Sequence, residues 1–207
     1  MVKVKKIISG DLQVNCYLVY DVDSKKALIA DPGQDGAKVI AEIEKDGLIP
    51  EILVNTHGHF DHILSDELVR RHFNIPLGAH KDDAPMLSDP YENGSYSFFR
   101  EPVSIKDPEI FFEDAMKVKL SFTEFEVIHT PGHTRGGICL LFDGFILTGD
   151  TLFAGTIGRT DFPDSDHAQM LKSLEKIKRL SPSLTVYPGH GSITTIANEL
   201  RHNPFLR

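Results

Sequence analysis

The sequence contains no tryptophan, only two cysteines and no apolar run long enough to cross a bilayer. Two cysteines exclude a disulfide framework, and because Cys16 and Cys139 both lie in apolar surroundings we interpret them as reduced core thiols. An excess of positive charge is also missing. With 22 basic and 30 acidic residues the formal charge is −8, so we expect no binding to nucleic acid or to an anionic membrane. Lysines alternate with aliphatic residues over residues 1–10, which is not the pattern of a signal peptide, and we expect a cytoplasmic protein.

What the sequence does contain is a regular succession of strand and helix patterns. A length of 207 residues with 41% apolar composition is typical of one layered domain, so we expect residues 1–207 to form a single domain. The strand patterns form two sets, separated by an irregular segment over residues 89–108, and helical patterns follow strands in both sets. We therefore predict an α/β fold in which two mixed β-sheets pack face to face with helices outside, a four-layer αββα sandwich.

The individual elements are predicted from periodicity and turn residues. The predicted strands cover residues 2–8, 15–20, 27–30, 51–55, 76–79, 117–120, 125–129, 138–142, 145–147 and 184–187. The predicted helices cover residues 37–45, 64–73, 81–87, 166–180 and 193–202.

The segment THGHFDH, residues 56–62, places three histidines and an aspartate directly after a predicted strand. His57 and His59 are two positions apart, so in an extended or loop backbone both imidazoles project the same way and can reach one cation. Asp61 and His62 lie where the chain turns into the next helix and can bind a second cation beside the first. A histidine-rich turn without metal is the alternative, and for one isolated pair of histidines it is an equally good interpretation.

Three further residues of the same chemical types each follow a predicted strand inside a glycine turn. They are His133 in HTPGHT, Asp150 at the end of FILTGD and His190 in YPGHG. Glycine allows the backbone to approach a ligand closely. Packing does not explain why three separate strand ends each carry an imidazole or a carboxylate. Together with THGHFDH they predict a metal centre.

The motifs THGHFDH, PGH, TGD and PGHG, in this order over nearly the whole chain, resemble those of the metallo-β-lactamase superfamily. The resemblance implies the metallo-β-lactamase fold and two divalent metal ions, with zinc as the first expectation and iron or manganese as alternatives. It implies that two ions acidify a bridging water into a nucleophilic hydroxide, and we assign catalytic roles to Asp61 and Asp150. By the resemblance, the ligands of one metal are His57, His59 and His133, those of the other are Asp61, His62 and His190, and Asp150 bridges the two.

Asp31, in Ala-Asp-Pro-Gly, resembles a superfamily position that supports the metal loop through hydrogen bonds. A simple turn cap is the alternative interpretation of this residue. The five remaining histidines are assigned no role. One of them, His129, is close enough to His133 in the sequence to be a possible hydrogen-bond donor that supports it.

The segment TLFAGTIGRTDF, residues 151–162, and the C-terminal NPFLR look like the glyoxalase II branch, and especially its short members without a C-terminal helical domain. Members of this branch are thioesterases that hydrolyse S-D-lactoylglutathione. The resemblance implies a small-molecule thioester substrate, linked to glutathione or a related thiol, and a monomer or small homo-oligomer. Arg159 would bind a glutathione carboxylate through two hydrogen bonds, or else is a surface arginine paired with Asp161 or Asp164. Ser192 stands where the full-length enzymes have a tyrosine, which leaves the thiol portion open.

Two other functions remain as alternatives. The segment GRTDF, residues 158–162, also resembles the persulfide dioxygenases of the superfamily, which bind a single non-haem iron and oxidise glutathione persulfide. By this resemblance the iron would be bound by His59, His133 and Asp150 or a closely overlapping set. A non-catalytic metal-binding scaffold is the third candidate. The C-terminal NPFLR favours the thioesterase.

Overall fold

A computed structural model describes residues 1–98 and 102–207 of the chain. Its first sheet holds six strands in sequence order, the first three antiparallel and the last three parallel to their neighbours. These strands are β1 (Val2–Ser9), β2 (Val14–Asp21), β3 (Lys26–Ala30), β4 (Ile49–Val54), β5 (Leu77–His80) and β6 (Ile110–Phe112).

The second sheet also has six strands, which are β7 (Lys117–Lys119), β8 (Glu124–His129), β9 (Ile138–Phe142), β10 (Phe145–Gly149), β13 (Thr185–Pro188) and β14 (Thr194–Thr195). Their order in the sheet is β14-β13-β10-β9-β8-β7, and the sheet is mixed because β10 and β13 run parallel. Between β10 and β13 the chain forms a separate hairpin of β11 (Leu152–Phe153) and β12 (Thr156–Ile157).

Helices cover the outer faces of both sheets. They are α1 (Gly36–Lys45), α2 (Phe60–Ile63), α3 (Asp66–Phe73), α4 (Ala84–Ser88), α5 (Ser95–Phe98), α6 (His167–Lys178) and α7 (Ile196–His202), followed by a 3₁₀ turn, Pro204–Leu206. In the part of the chain that the structure describes, no helix combines the length and the apolar character needed to cross a bilayer.

The apolar side chains alternate between layers along each central strand. In β2, Val19 packs between the sheets with Val127 of β8, whereas its neighbour Leu18 packs outward against Val39 of α1. A third cluster lies between the second sheet and α6, where Met170 is fully buried. Strands that are buried on both faces have nearly continuous apolar sequences, as in VNCYLVY. The predicted four-layer αββα sandwich is confirmed.

The structure departs from the predicted elements in short segments. Strand β6 lies in the segment next to residues 89–108, where no strand was predicted, and the hairpin β11–β12 and strand β14 were also missed. The helix predicted over residues 64–73 begins two residues later than predicted, as α3, and a separate short helix, α2, precedes it where a loop was predicted. Ser65 separates them, because its hydroxyl donates to the Gln34 carbonyl and accepts from the Gly36 N–H.

Candidate metal centre

The seven predicted ligands meet at one end of the seam between the two sheets. The loop after β4 and the start of α2 carry four of them, and the loops after β8, β10 and β13 carry one each. The backbone N–H of Asn15 on β2 donates to the Gly189 carbonyl at 2.7 Å, which holds the loop of His190 against the first sheet. Strand ends from both sheets therefore supply the site, as the sequence predicts.

The first group of donors is purely imidazole. Ligand atoms of His57, His59 and His133 all lie within 4.8 Å of one another. His59 Nδ1 is 2.9 Å from His133 Nε2, so a proton or a cation must lie between these two ring nitrogens. The three rings also contact one another edge to face, with centroids 4.5 to 5.0 Å apart. This is a donor set that suits a zinc-like cation.

The second group mixes one carboxylate with two imidazoles. His62 Nε2 lies 3.2 Å from His190 Nε2, and Asp61 Oδ2 lies 3.3 Å from the same His190 nitrogen. Asp150 stands between the two groups. Its Oδ2 is 3.5 Å from His133 Nε2, and its Oδ1 is 3.5 Å from His62 Nε2. This is the position that a bridging carboxylate needs.

Three buried polar atoms of the ligand residues have no hydrogen-bond partner among the described residues. One of them, His62 Nδ1, lies 3.1 Å from Asp31 Oδ2, and the other two are His57 Nε2 and Asp150 Oδ1. A buried polar atom that is left unsatisfied costs about 1 to 3 kcal/mol. A divalent cation accepts both of these lone pairs, so the residues fit the pair of metal ions that the motifs predict.

Backbone carbonyls bind the Nδ1 atom of two of the ligand histidines. His133 Nδ1 donates to the Arg159 carbonyl at 2.8 Å, and His190 Nδ1 donates to the Leu12 carbonyl at 3.1 Å. Both rings are thereby held in the tautomer whose Nε2 lone pair faces the centre.

Asp31 and Thr56 support the first histidines. Asp31 is buried and accepts from the Thr56 N–H at 2.8 Å and from the Thr56 hydroxyl at 2.7 Å. The same hydroxyl lies 3.1 Å from His57 Nδ1, and Asp31 Oδ2 lies 3.1 Å from His62 Nδ1. The Asp31 carboxylate therefore contacts the metal loop at both ends. Sequence reasoning did not single out Thr56, although it opens the THGHFDH motif.

Burial sets the charge of the first group. Desolvation and neighbouring imidazoles hold the pKa of His57 well below its ordinary value, and the same causes lower the pKa of His59 to about 3. Both rings are neutral at pH 7. Neutral imidazole is the form that binds a metal, so no proton has to leave these two ligands.

Carboxylates set the charge of the second group. Burial lowers the pKa of His62, but three carboxylates outweigh it and raise this pKa to about 10; they are Asp61, Asp150 and Asp31. Burial also lowers the pKa of His190, but Asp61 and Asp150 outweigh this effect, so the pKa of His190 is raised. The carboxyl pKa of Asp61 is lowered, because the two imidazoles outweigh its desolvation. A cation that enters this group therefore displaces a proton.

The Arg159 guanidinium pairs with a neighbouring carboxylate. Its guanidinium donates to both carboxylate oxygens of Asp161 at 2.9 Å and lies 4.5 Å from the centroid of the Phe162 ring. This is the pairing with Asp161 that the sequence left as an alternative. The backbone of Arg159, through its bond from His133, is the part that contacts the centre.

Apolar side chains flank both groups of ligands. The Phe162 ring centroid is 5.1 Å from that of His59 and 5.8 Å from that of His133, and Phe153 lies 6.2 Å from His190. Apolar rings lower the local dielectric and strengthen electrostatic interactions beside them.

The two segments that resemble the glyoxalase II branch, residues 151–162 and the C-terminal NPFLR, are in contact. The buried amide of Asn203 donates to the Thr156 carbonyl at 3.0 Å and to Glu199 at 2.9 Å. Glu199 in turn accepts from the Gly155 N–H at 2.8 Å. The C-terminal NPFLR and helix α7 therefore hold the hairpin β11–β12, which follows Asp150.

A second set of metal-type residues, His80, Asp82 and His129, has donors within 4.8 Å of one another. The rings of His80 and His129 are stacked 4.0 Å apart at 14°, so their lone pairs lie in two nearly parallel planes and do not point at one common position. His129 Nε2 donates to the Arg135 carbonyl at 2.8 Å. His129, which the sequence leaves as a possible hydrogen-bond donor to His133, donates to this carbonyl instead.

A layered αββα sandwich with histidine and aspartate donors at strand ends across the seam of its sheets is an arrangement that suits a metal-binding protein. Residues 9–190 match the profile of the Metallo-beta-lactamase superfamily, and the chain belongs to that superfamily. The superfamily binds divalent metals.

Particular relatives agree over almost the whole chain. The chain is 36% identical to the hydroxyacylglutathione hydrolase GloC of Haemophilus influenzae, over 94% of this chain and 93% of that protein. It superposes on the crystal structure of the BLEG-1 B3 metallo-beta-lactamase with a TM-score of 0.94 and 36% identity, covering 99% of both chains. A protein crystallised in a di-iron-bound form gives a TM-score of 0.84 and 31% identity, with 98% of this chain and 100% of that chain covered.

Proposed function

We propose that this metal-dependent hydrolase is a thioesterase of the glyoxalase II type, which cleaves S-D-lactoylglutathione or a related small-molecule thioester. The observation that carries the proposal is the convergence of seven histidine and aspartate donors into two groups with Asp150 between them. The relative named hydroxyacylglutathione hydrolase supports the choice of substrate.

One ion would be held by His57, His59 and His133 and the other by Asp61, His62 and His190, with Asp150 in contact with both. When bound, two divalent ions supply Lewis acidity, which lowers the pKa of water and polarises a carbonyl group. Zinc is the first expectation, and iron or manganese suit the same ligands.

The chain itself holds the reacting groups in place. The bonds from His133 and His190 to backbone carbonyls keep both rings oriented, so no ring has to reorganise during the reaction. Phe162 and Phe153 place apolar rings beside His59 and His190. No serine or cysteine nucleophile is needed.

Arg159 is the proposed anchor for a carboxylate of the thiol portion. Its guanidinium and the Asp161 carboxylate are 64% and 67% exposed, so solvent screens their pairing. A substrate carboxylate can therefore replace Asp161 with little loss. We expect Arg159→Ala to raise KM for S-D-lactoylglutathione and to leave kcat nearly unchanged, because the guanidinium contacts no ligand atom. A fall in kcat at constant KM would contradict this role.

The test is metal analysis of protein purified without added metal, together with an anaerobic assay on S-D-lactoylglutathione. We expect close to two metals per chain and turnover that does not require oxygen. His59→Ala and Asp150→Ala should remove both bound metal and activity while the fold survives. His72→Ala is the matched control, because His72 is exposed on α3 and contacts Glu44. Full activity in either ligand variant would overturn the proposal.

Persulfide dioxygenation is the second candidate, because GRTDF follows the bridging position and His59, His133 and Asp150 lie together. One iron per chain, no thioester turnover and oxygen uptake with glutathione persulfide would establish it instead. A β-lactam belongs in the same assay, since the BLEG-1 structure is that of a metallo-beta-lactamase. Hydrolysis of the β-lactam alone would also overturn the thioesterase. Metal binding without any of these activities would leave the non-catalytic scaffold.

A further inference from the structure

A buried carboxylate outside the ligand set connects two of the ligand loops. Asp83 follows β5 and is 1% exposed. Its Oδ2 accepts from the Gly58 N–H at 3.0 Å and from the Thr134 hydroxyl at 2.6 Å, and its Oδ1 accepts from the Gly136 N–H. Three donors from two loops thus meet on one side chain.

The donors to Asp83 are close neighbours in the sequence of the predicted metal ligands. Gly58 is the residue between His57 and His59, and Thr134 directly follows His133. One carboxylate therefore joins the first two members of the all-imidazole group to the third, although the two loops belong to different sheets. Asp83 itself contacts no ligand atom in the structure.

Two glycines leave room for this arrangement. A Cβ at Gly136 would come within 2.5 Å of the Asp83 nitrogen and 2.8 Å of its side chain. A Cβ at Gly58 would lie 2.8 Å from the Met86 side chain and 3.3 Å from the Asp83 carbonyl. Only glycine lets both loops approach Asp83 this closely.

We propose that Asp83 is a positioning residue that sets the distance between the His57–His59 loop and His133, and thereby the metal affinity of that group. The inference rests on the proposed role of these three histidines as ligands. Hydrogen-bonded groups behind metal ligands typically change affinity by about 10- to 100-fold when they are removed.

Asp83→Asn tests this with almost no change of shape. In either orientation the asparagine NH₂ faces a backbone N–H, that of Gly136 or that of Gly58, so at least one of the three bonds is lost. Asp82→Asn is the matched control, because the neighbouring Asp82 side chain is 48% exposed. Thr134→Val, which removes only the hydroxyl donor, is the milder variant if Asp83→Asn does not fold.

Zinc affinity is measured by competition with a chromophoric chelator, and ligand geometry from the visible absorption of cobalt-substituted protein. We expect Asp83→Asn to weaken zinc binding about 10- to 100-fold and to change the cobalt spectrum. Thr134→Val should shift both in the same direction by less, and Asp82→Asn should leave both unchanged. Both measurements are made well below the unfolding temperature of the metal-free variants, so a general loss of stability does not mimic the effect.

The two proposals fail separately. If His59→Ala lowers zinc affinity while Asp83→Asn, or Thr134→Val where the former does not fold, keeps wild-type affinity and spectrum, only the inference about Asp83 is overturned. If wild type and His59→Ala bind zinc with the same affinity, the proposed ligand role of these histidines is refuted, and the inference about Asp83 is refuted with it.

Discussion

Replacement of Asn203 by alanine tests how the C-terminal segment is attached. The Asn203 side chain is fully buried, donates to Thr156 and Glu199, and accepts from the Phe205 N–H at 3.1 Å. Alanine leaves the two acceptors without this donor and removes the cap of the 3₁₀ turn. Each lost interaction is worth about 1 kcal/mol. We therefore expect Asn203→Ala to lower the free energy of unfolding by about 3 kcal/mol.

The assay is urea unfolding of the metal-free protein followed by circular dichroism, because the chain has no tryptophan to report by fluorescence. His202→Ala is the control: it changes the exposed neighbour and should stay within about 0.5 kcal/mol of wild type. Asn203→Asp should lose at least as much as Asn203→Ala, since it places a second carboxylate beside buried Glu199. A loss below about 0.5 kcal/mol for Asn203→Ala would refute the reasoning.

Three further outcomes are expected. Cys16 and Cys139 are fully buried, and burial raises the pKa of Cys139 to about 11. We therefore expect neither thiol to react with a disulfide reagent at pH 8 until the protein is unfolded in urea. Rapid labelling of the native protein would contradict this. Gly132→Ala places a Cβ 2.5 Å from the Met170 backbone and should lower the free energy of unfolding in urea by more than about 2 kcal/mol. Gly144→Ala is the control, because a Cβ there meets no atom within 4 Å, and it should lower this free energy clearly less. Equal losses would argue against steric contact as the cause. Removal of metal with a chelator should lower the unfolding free energy by about 2.7 kcal/mol if the metal had been present at 100 times its dissociation constant, and an unchanged melting temperature would contradict metal binding to the folded state.

Long buried strands were predictable because their apolar runs are bounded by turn residues. Strand β9 has the predicted limits, β2 is one residue longer than predicted at each end, and β3 begins one residue earlier than predicted. Strand β6 was missed because it has three residues and is defined by its pairing with β5, some 30 residues earlier in the chain. Periodicity within a short window contains no information on such a partner.

The donors of the candidate site were predictable for a related reason, since each lies at a strand end marked by glycine or by THGHFDH. The structure brings all seven together, while their role as ligands stays a prediction. Asp83 was not singled out, because it lies inside the helix predicted over residues 81–87 and not directly at the end of the strand predicted over residues 76–79. Its partners Thr134 and Gly136 are about 50 residues away, so only the folded chain shows what Asp83 contacts.

The division of the donors between the sheets has a kinetic consequence. His57 and His59 come from the first sheet and His133 from the second; Asp61 and His62 face His190 in the same way. Neither sheet carries a complete group. Any opening of the seam therefore disassembles both groups at once, even while every strand remains paired. Escape of metal into a chelator would then report the rate at which the two halves part, ahead of any loss of secondary structure.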